Sequence, residues 1–147
     1  MNTPANSLSQ QPGPYRGPVT LRELAFGVAA GPIAWAVEFN VGYGLASWPC
    51  FPGDHRMQQP LYGYGWSWPA LIAIMFAATL IALVAMWVSW RSYRKTAAEP
   101  HSARSQLEPG NGRARFLALW GVVFSGGFAL ASLATGIAYL TLPRCGG

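Results

Sequence analysis

Charge is the scarcest property of this sequence. Only 10% of its 147 residues are charged, five of them acidic, whereas 52% are hydrophobic. A soluble domain carries roughly 25% charged residues, so this composition argues against a water-soluble fold. The basic residues are also not gathered into one basic domain, and we therefore expect no nucleic-acid partner.

Residues and motifs that commonly carry enzymatic chemistry are nearly missing. The two histidines, His55 and His101, lie in different polar segments, so no histidine pair can ligate haem inside an apolar block. The sequence has no phosphate-binding glycine loop, nucleophile elbow, metallohydrolase motif or carboxylate pair. It also lacks the inverted repeat of many transporters. We therefore expect a non-enzymatic protein without a cofactor.

What the sequence does contain is three long apolar blocks separated by polar, Pro- and Gly-rich segments. Each block exceeds the roughly 20 residues that a helix needs to cross a bilayer. The blocks predict an all-α integral membrane three-helix bundle with transmembrane helices at 21–48, 66–90 and 116–142. The other predicted segments are a disordered tail at 1–20, loops at 49–65 and 91–115, and a tail at 143–147.

Basic residues flank the three blocks unevenly. Eight of the ten precede the first block or lie between the second and third, and only Arg56 and Arg144 lie at the opposite ends of the blocks. By the positive-inside rule, the N-terminus and the 91–115 loop are expected to be cytoplasmic. The 49–65 loop and the C-terminus are then periplasmic, for a multi-pass protein of the bacterial inner (plasma) membrane.

One ionisable residue, Glu38, lies near the middle of the first block. An ionisable group at mid-bilayer costs roughly 3 kcal/mol on insertion scales, so it invites a functional hypothesis. Three interpretations stay open: a proton-handling carboxyl, a polar contact to a partner's helix, or a protonated side chain hydrogen-bonded inside the bundle. The candidate internal partners are Asn40, Ser125, Ser132 and Thr135.

Small residues share helix faces with these polar groups. At roughly 100° per residue, Gly27, Gly31 and Gly42 fall on the Glu38 face of the first helix. Gly121 and Gly136 fall on the face of the third helix that carries the two serines. Such faces let helices approach closely in lipid, so we expect the first and third helices to pack together. For the second helix we expect a structural role only. Besides the lipid bilayer, we expect a membrane-protein partner or a homo-oligomer.

The two cysteines, Cys50 and Cys145, follow the first and third blocks. A three-span topology places both at the same membrane face, and an oxidising periplasm favours a structural disulfide between them. A metal site is the alternative. Cys50, His55, Met57 and Cys145 form a set of soft or borderline ligands that could hold Cu(I), as in a periplasm-facing copper or redox protein.

Three short motifs give the chain a resemblance to a known family. They are Gly31-Pro32-x-x-Trp35, Leu45-Ala46-Ser47-Trp48-Pro49-Cys50 and Pro143-Arg144-Cys145. Together they resemble small three-span proteobacterial membrane proteins associated with genes for respiratory oxidases of the cytochrome c oxidase type. The resemblance implies an accessory or assembly role beside such a complex. Copper or redox handling, and proton conduction or transport through Glu38, are the alternative functions.

Overall fold

The computed structural model describes residues 19–53, 55–57, 59, 61–97, 109–142 and 145. Three long helices, α1 (Leu21–Ser47), α2 (Ser67–Ala97) and α3 (Pro109–Thr141), dominate this part of the chain. Short 3₁₀ turns at Trp48–Cys50 and Tyr64–Trp66 flank the connection from α1 to α2. No strand occurs among these residues, so the predicted all-α class is confirmed. Three helices are long and apolar enough to cross a membrane.

Parts of four predicted polar segments lie outside the described residues. These parts are 1–18 of the N-terminal tail, 54, 58 and 60 of the 49–65 loop, 98–108 of the basic loop, and 143, 144, 146 and 147 of the C-terminal tail. His101 falls in the third of them.

A capping box starts α1 at Leu21, where the sequence predicted that the first helix begins. The Thr20 hydroxyl accepts a hydrogen bond from the Glu23 N–H at 3.3 Å, and the Glu23 carboxylate accepts one from the Thr20 N–H at 3.1 Å. Two backbone donors that the helix leaves open are thereby satisfied. Val19 is buried against Leu24 and Ala118, so this residue of the predicted tail is part of the packed bundle.

The helices extend beyond the apolar blocks that predicted them. α2 continues seven residues past Trp90 to Ala97, and α3 begins seven residues before Phe116 at Pro109. Apolar length measures the stretch that crosses lipid, whereas a helix can continue beyond it into water. In α2 the extension contains arginine and lysine, which favour the helix, and α3 has proline at its first position, where the missing N–H breaks no helical hydrogen bond. Arg94 and Lys95 in the last turn of α2 also complement the helix dipole.

The three helices pack through small residues, and each contacts the other two. Buried positions are mostly glycine, alanine and serine, as with Ala82 and Ala85, whose side chains are 0% exposed. Large apolar side chains such as Phe76 and Leu130 are more than 60% exposed. This arrangement suits lipid, where exposing leucine or phenylalanine carries no hydrophobic penalty and close backbone approach drives helix association.

α1 and α3 run in the same direction. A Cβ added to Gly31 would lie 3.0 Å from the Cα of Ser125, and one added to Gly42 would lie 2.7 Å from the Tyr139 ring. Residue numbers therefore increase in the same direction along both helices, toward the end of the bundle that carries the disulfide. α2 runs between them in the opposite direction, which brings Ser89 against Gly27 and Gly121 at the other end.

Candidate functional site

The carboxyl of Glu38 lies inside the bundle without a hydrogen bond. The side chain is 2% exposed, and neither Oε1 nor Oε2 has a partner among the described residues. The Ser132 hydroxyl of α3 faces this carboxyl, but it too forms no hydrogen bond of normal geometry. A buried polar group without a partner costs about 1–3 kcal/mol, so this site opposes the stability of the isolated chain.

The expected internal hydrogen bonds to Glu38 are not formed. Ser125 donates instead to the Gly27 carbonyl at 2.7 Å, and the Thr135 hydroxyl accepts from the Trp35 indole at 3.3 Å. Asn40 is exposed on the opposite side of α1, because two residues correspond to about 200° of helix rotation. Ser125, Thr135 and Asn40 therefore do not bond the carboxyl, and of the four candidate partners Ser132 alone lies beside it.

An apolar groove runs between α1 and α2 and has Glu38 as its only ionisable lining residue. Its volume is about 650 Å³. Six of its twelve lining residues are alanines, and five of the others are bulkier apolar residues. The lining residues are Ala25, Phe26, Ala29, Ala30, Ile33, Ala34, Val37, Glu38, Ile74, Ala77, Ala78 and Ile81.

Sequence reasoning treated α2 as structural and missed its share of this groove. Ala77 is exposed and Ala78 is buried, so the two adjacent alanines form the edge and the floor of the same wall. The available signal was a stripe of small residues on one face of α2, formed by Ala78, Ala82, Ala85 and Ser89. Periodicity alone cannot show that this stripe continues the Glu38 face of α1, because that depends on how the two helices are rotated against each other.

A disulfide joins Cys50 and Cys145 at one end of the bundle, with their Cα atoms 5.2 Å apart. The Arg56 guanidinium donates a hydrogen bond to the Cys145 carbonyl at 3.4 Å, which ties the α1–α2 connection to the end of the chain. A second pocket of about 390 Å³ lies here, and Arg56, Tyr43 and Tyr139 supply polar groups to its lining. The two cysteines thus meet at the end where the topology placed them.

The copper ligand set is not assembled in this structure. Both thiols are in the disulfide, and His55 and Met57 are exposed in the loop before α2. Across the described ranges there is no group of three or more His, Cys, Asp or Glu side chains that could hold a metal ion. Copper binding by these residues would first require reduction of the disulfide, since Cu(I) needs the thiolates.

The glycines predicted to mediate packing lie at close helix contacts. A Cβ at Gly27 or Gly121 would meet the Ser89 side chain, so α1, α2 and α3 come together at one level. A Cβ at Gly136 would meet the Met75 side chain of α2. Together with Gly31 and Gly42 against α3, all five glycines lie where an added Cβ would crowd a neighbouring helix.

Long apolar helices, a core of small residues and a carboxyl buried inside them are typical of a small three-helix integral membrane protein. That is the class of protein which the fold and the site define. No protein-family model, characterised protein or solved structure shows a significant match to the chain.

Proposed function

We propose that this protein is a non-enzymatic accessory or assembly protein of the bacterial inner membrane, and that its groove between α1 and α2 binds a larger membrane complex. The observation that carries the proposal is the Glu38 carboxyl, which is buried without a hydrogen bond in the wall of an apolar groove. In lipid, such a group is stabilised by a donor from another helix, since no bulk water reaches it.

The occupant of the groove is a transmembrane helix of the partner that carries a hydrogen-bond donor at the depth of Glu38. Alanine walls at Ala30 and Ala77 leave room for a helix backbone to approach closely. The glutamate side chain has three rotatable torsions, so a change of rotamer can turn its carboxyl from the bundle interior into the groove. The donor then removes the penalty of the unpaired carboxyl.

A respiratory oxidase of the cytochrome c oxidase type is the complex that we propose as partner. Support comes from the resemblance in the motifs around Trp35 and Cys50. In this proposal the disulfide end faces the periplasm and the basic ends of α2 and α3 face the cytoplasm. Arg91, Arg94, Lys95, Arg113 and Arg115 lie at that basic end, whereas Arg56 lies at the disulfide end.

The experiment that tests this proposal is site-specific photo-cross-linking in native membranes from two lipid-facing alanines. A photoreactive residue at Ala77 lies in the groove, and one at the exposed Ala134 of α3 is the matched control. We expect a cross-link to one transmembrane subunit from position 77 only. The purified adduct should show the haem difference spectrum of an oxidase.

A second experiment blocks the groove with a bulky side chain. Ala77→Phe fills the groove from an exposed position, so the bundle stays folded and co-purification with the partner is lost. Ala134→Phe adds the same bulk on α3 and should leave co-purification unchanged. Equal loss in both variants, or an identical pattern of adducts from both positions, would contradict binding through the groove. An adduct without haem would refute the oxidase as partner.

The same carboxyl supports one second candidate, a proton-transferring component. Tyr139 lines the pocket at the disulfide end and donates a hydrogen bond to the Phe39 carbonyl at 3.1 Å, one residue from Glu38. Its hydroxyl thus lies between that pocket and the depth of the acid. Glu38→Gln distinguishes the functions, because an amide can still bond a partner helix but cannot release a proton.

A further inference from the structure

Asn40 presents an amide to the lipid-facing side of α1. It is eight residues before Trp48, which places it about 12 Å below the end of the helix and inside the hydrocarbon layer. The side-chain N–H₂ group donates one hydrogen bond to the Ala36 carbonyl at 2.7 Å. The amide oxygen and the second N–H make no hydrogen bond to the described chain. In lipid these two groups require a partner.

Gly44 lies one turn farther along the same side of α1. A Cβ added there would meet no atom within 4 Å, in contrast to the crowded Gly42 two residues earlier. Packing inside the described chain therefore does not account for a glycine at position 44. Ala36, Asn40 and Gly44 follow at intervals of four residues, and so form a narrow outward surface on which another helix can approach closely.

We propose that a second copy of this chain covers this surface, forming a parallel homodimer with Asn40 of one protomer against Asn40 of the other. An amide is both donor and acceptor, so two amides across a two-fold axis satisfy each other. All copies insert with the same topology, which places Asn40 at the same depth in each protomer and makes the two α1 helices parallel.

This contact does not rest on the proposed function. The α1 residues that line the groove run from Ala25 to Glu38, whereas the dimer contact centres on Asn40 and Gly44 nearer the disulfide end. At 100° per residue, Asn40 lies within about 20° of the groove-lining Ala29 and Ile33, so the two contacts lie on the same side of α1 and differ in their depth in the membrane.

Cysteine cross-linking in membranes tests the geometry. Both native cysteines are held in the disulfide, so Gly44→Cys adds the single reactive thiol to the full chain. We expect a disulfide-linked dimer from Gly44→Cys on mild oxidation and none from Val41→Cys, an exposed control on another side of the same turn. Equal cross-linking at both positions, or an adduct to a different protein at position 44, overturns the proposal.

Energy transfer between labelled copies in liposomes tests the role of the amide without a new cysteine. Asn40→Leu should weaken association about 3- to 20-fold, the range expected for one interhelical polar contact, while Asn40→Gln should retain most of it. Val41→Leu is the matched control and should change nothing. A monomeric wild-type protein at high protein-to-lipid ratio, or unchanged association in Asn40→Leu, refutes the dimer.

Discussion

Ser125 of α3 donates a 2.7 Å hydrogen bond to the backbone carbonyl of Gly27 in α1. The Ser125 side chain is 0% exposed, so the bond is made away from lipid and water. It is possible because Gly31 has no side chain: a Cβ there would lie 3.0 Å from the Cα of Ser125. The packing of α1 on α3 thus depends on the Ser125 hydroxyl, which makes the hydrogen bond, and on Gly31, which lets the two helices come close enough for it.

Ser125→Ala should lower the free energy of unfolding by about 0.5–2 kcal/mol, because it removes an interhelical hydrogen bond made inside the bundle. Denaturant-induced unfolding in detergent micelles measures the change. Ser47→Ala is the matched control. The Ser47 hydroxyl bonds the Tyr43 carbonyl of its own helix at 2.7 Å, so its removal breaks no contact between helices and should change the free energy less.

Gly42→Ala and Gly44→Ala should differ although they lie two residues apart in α1. A Cβ at Gly42 would lie 2.7 Å from Cε2 of Tyr139, so overpacking should cost about 1–3 kcal/mol. A Cβ at Gly44 meets nothing within 4 Å, and the better helix propensity of alanine should leave stability unchanged or raised by up to about 1 kcal/mol. Unfolding is measured in excess detergent, where the chains are monomeric. Equal losses would contradict the helix packing.

Glu38→Met should stabilise the isolated protein and weaken its binding to the partner. The unbranched apolar side chain fits the space of glutamate and removes a buried carboxyl that lacks a hydrogen bond, worth about 1–3 kcal/mol. Unfolding in micelles measures the stability, and recovery of the Ala77 cross-link measures the binding. A destabilised Glu38→Met variant would show that the carboxyl is bonded inside the bundle.

Breaking the disulfide should destabilise the protein by about 2–4 kcal/mol. The cysteines are 95 residues apart, a separation for which the chain-entropy model gives about 4–5 kcal/mol. The expected loss is smaller because inserted helices already restrict the unfolded chain. Unfolding of the Cys50→Ser, Cys145→Ser double variant measures it.

Thiol labelling of membranes decides between the disulfide and the copper site. Both cysteines should resist alkylation until reductant is added, and metal analysis of the same sample should find no stoichiometric copper. Free labelling without reductant, or one copper per chain, would favour the set that includes His55 and Met57. Cys50→Ser would then abolish copper binding.

The orientation is testable with reporters at the C-terminus. A fused alkaline phosphatase should be active if the end after Cys145 lies in the periplasm, as the positive-inside rule predicts. A fluorescent protein that folds only in the cytoplasm should be dark at the same position. The opposite pattern would reverse the topology and place the disulfide end in the cytoplasm.

The sequence by itself determined the number of helices and what lies at their ends. Apolar length alone predicts three spans, because a bilayer sets the length of a helix that crosses it. The chain reverses direction twice, between α1 and α2 and between α2 and α3, so α1 and α3 are parallel. This brings Cys50 and Cys145 to one end without any knowledge of packing. The capping box of Thr20 and Glu23 is equally local, since it needs only four consecutive residues.

The surroundings of Glu38 were decided only by the tertiary structure. Helical periodicity gives the direction of each residue about its own axis, but not the rotation or the axial offset of one helix against another. Those two quantities place Ser132 at the depth of Glu38, leave Ser125 two turns away on Gly27, and open a groove where α1 and α2 diverge. Four polar residues looked equally able to bond the acid, and packing left its carboxyl without a bond to any of them.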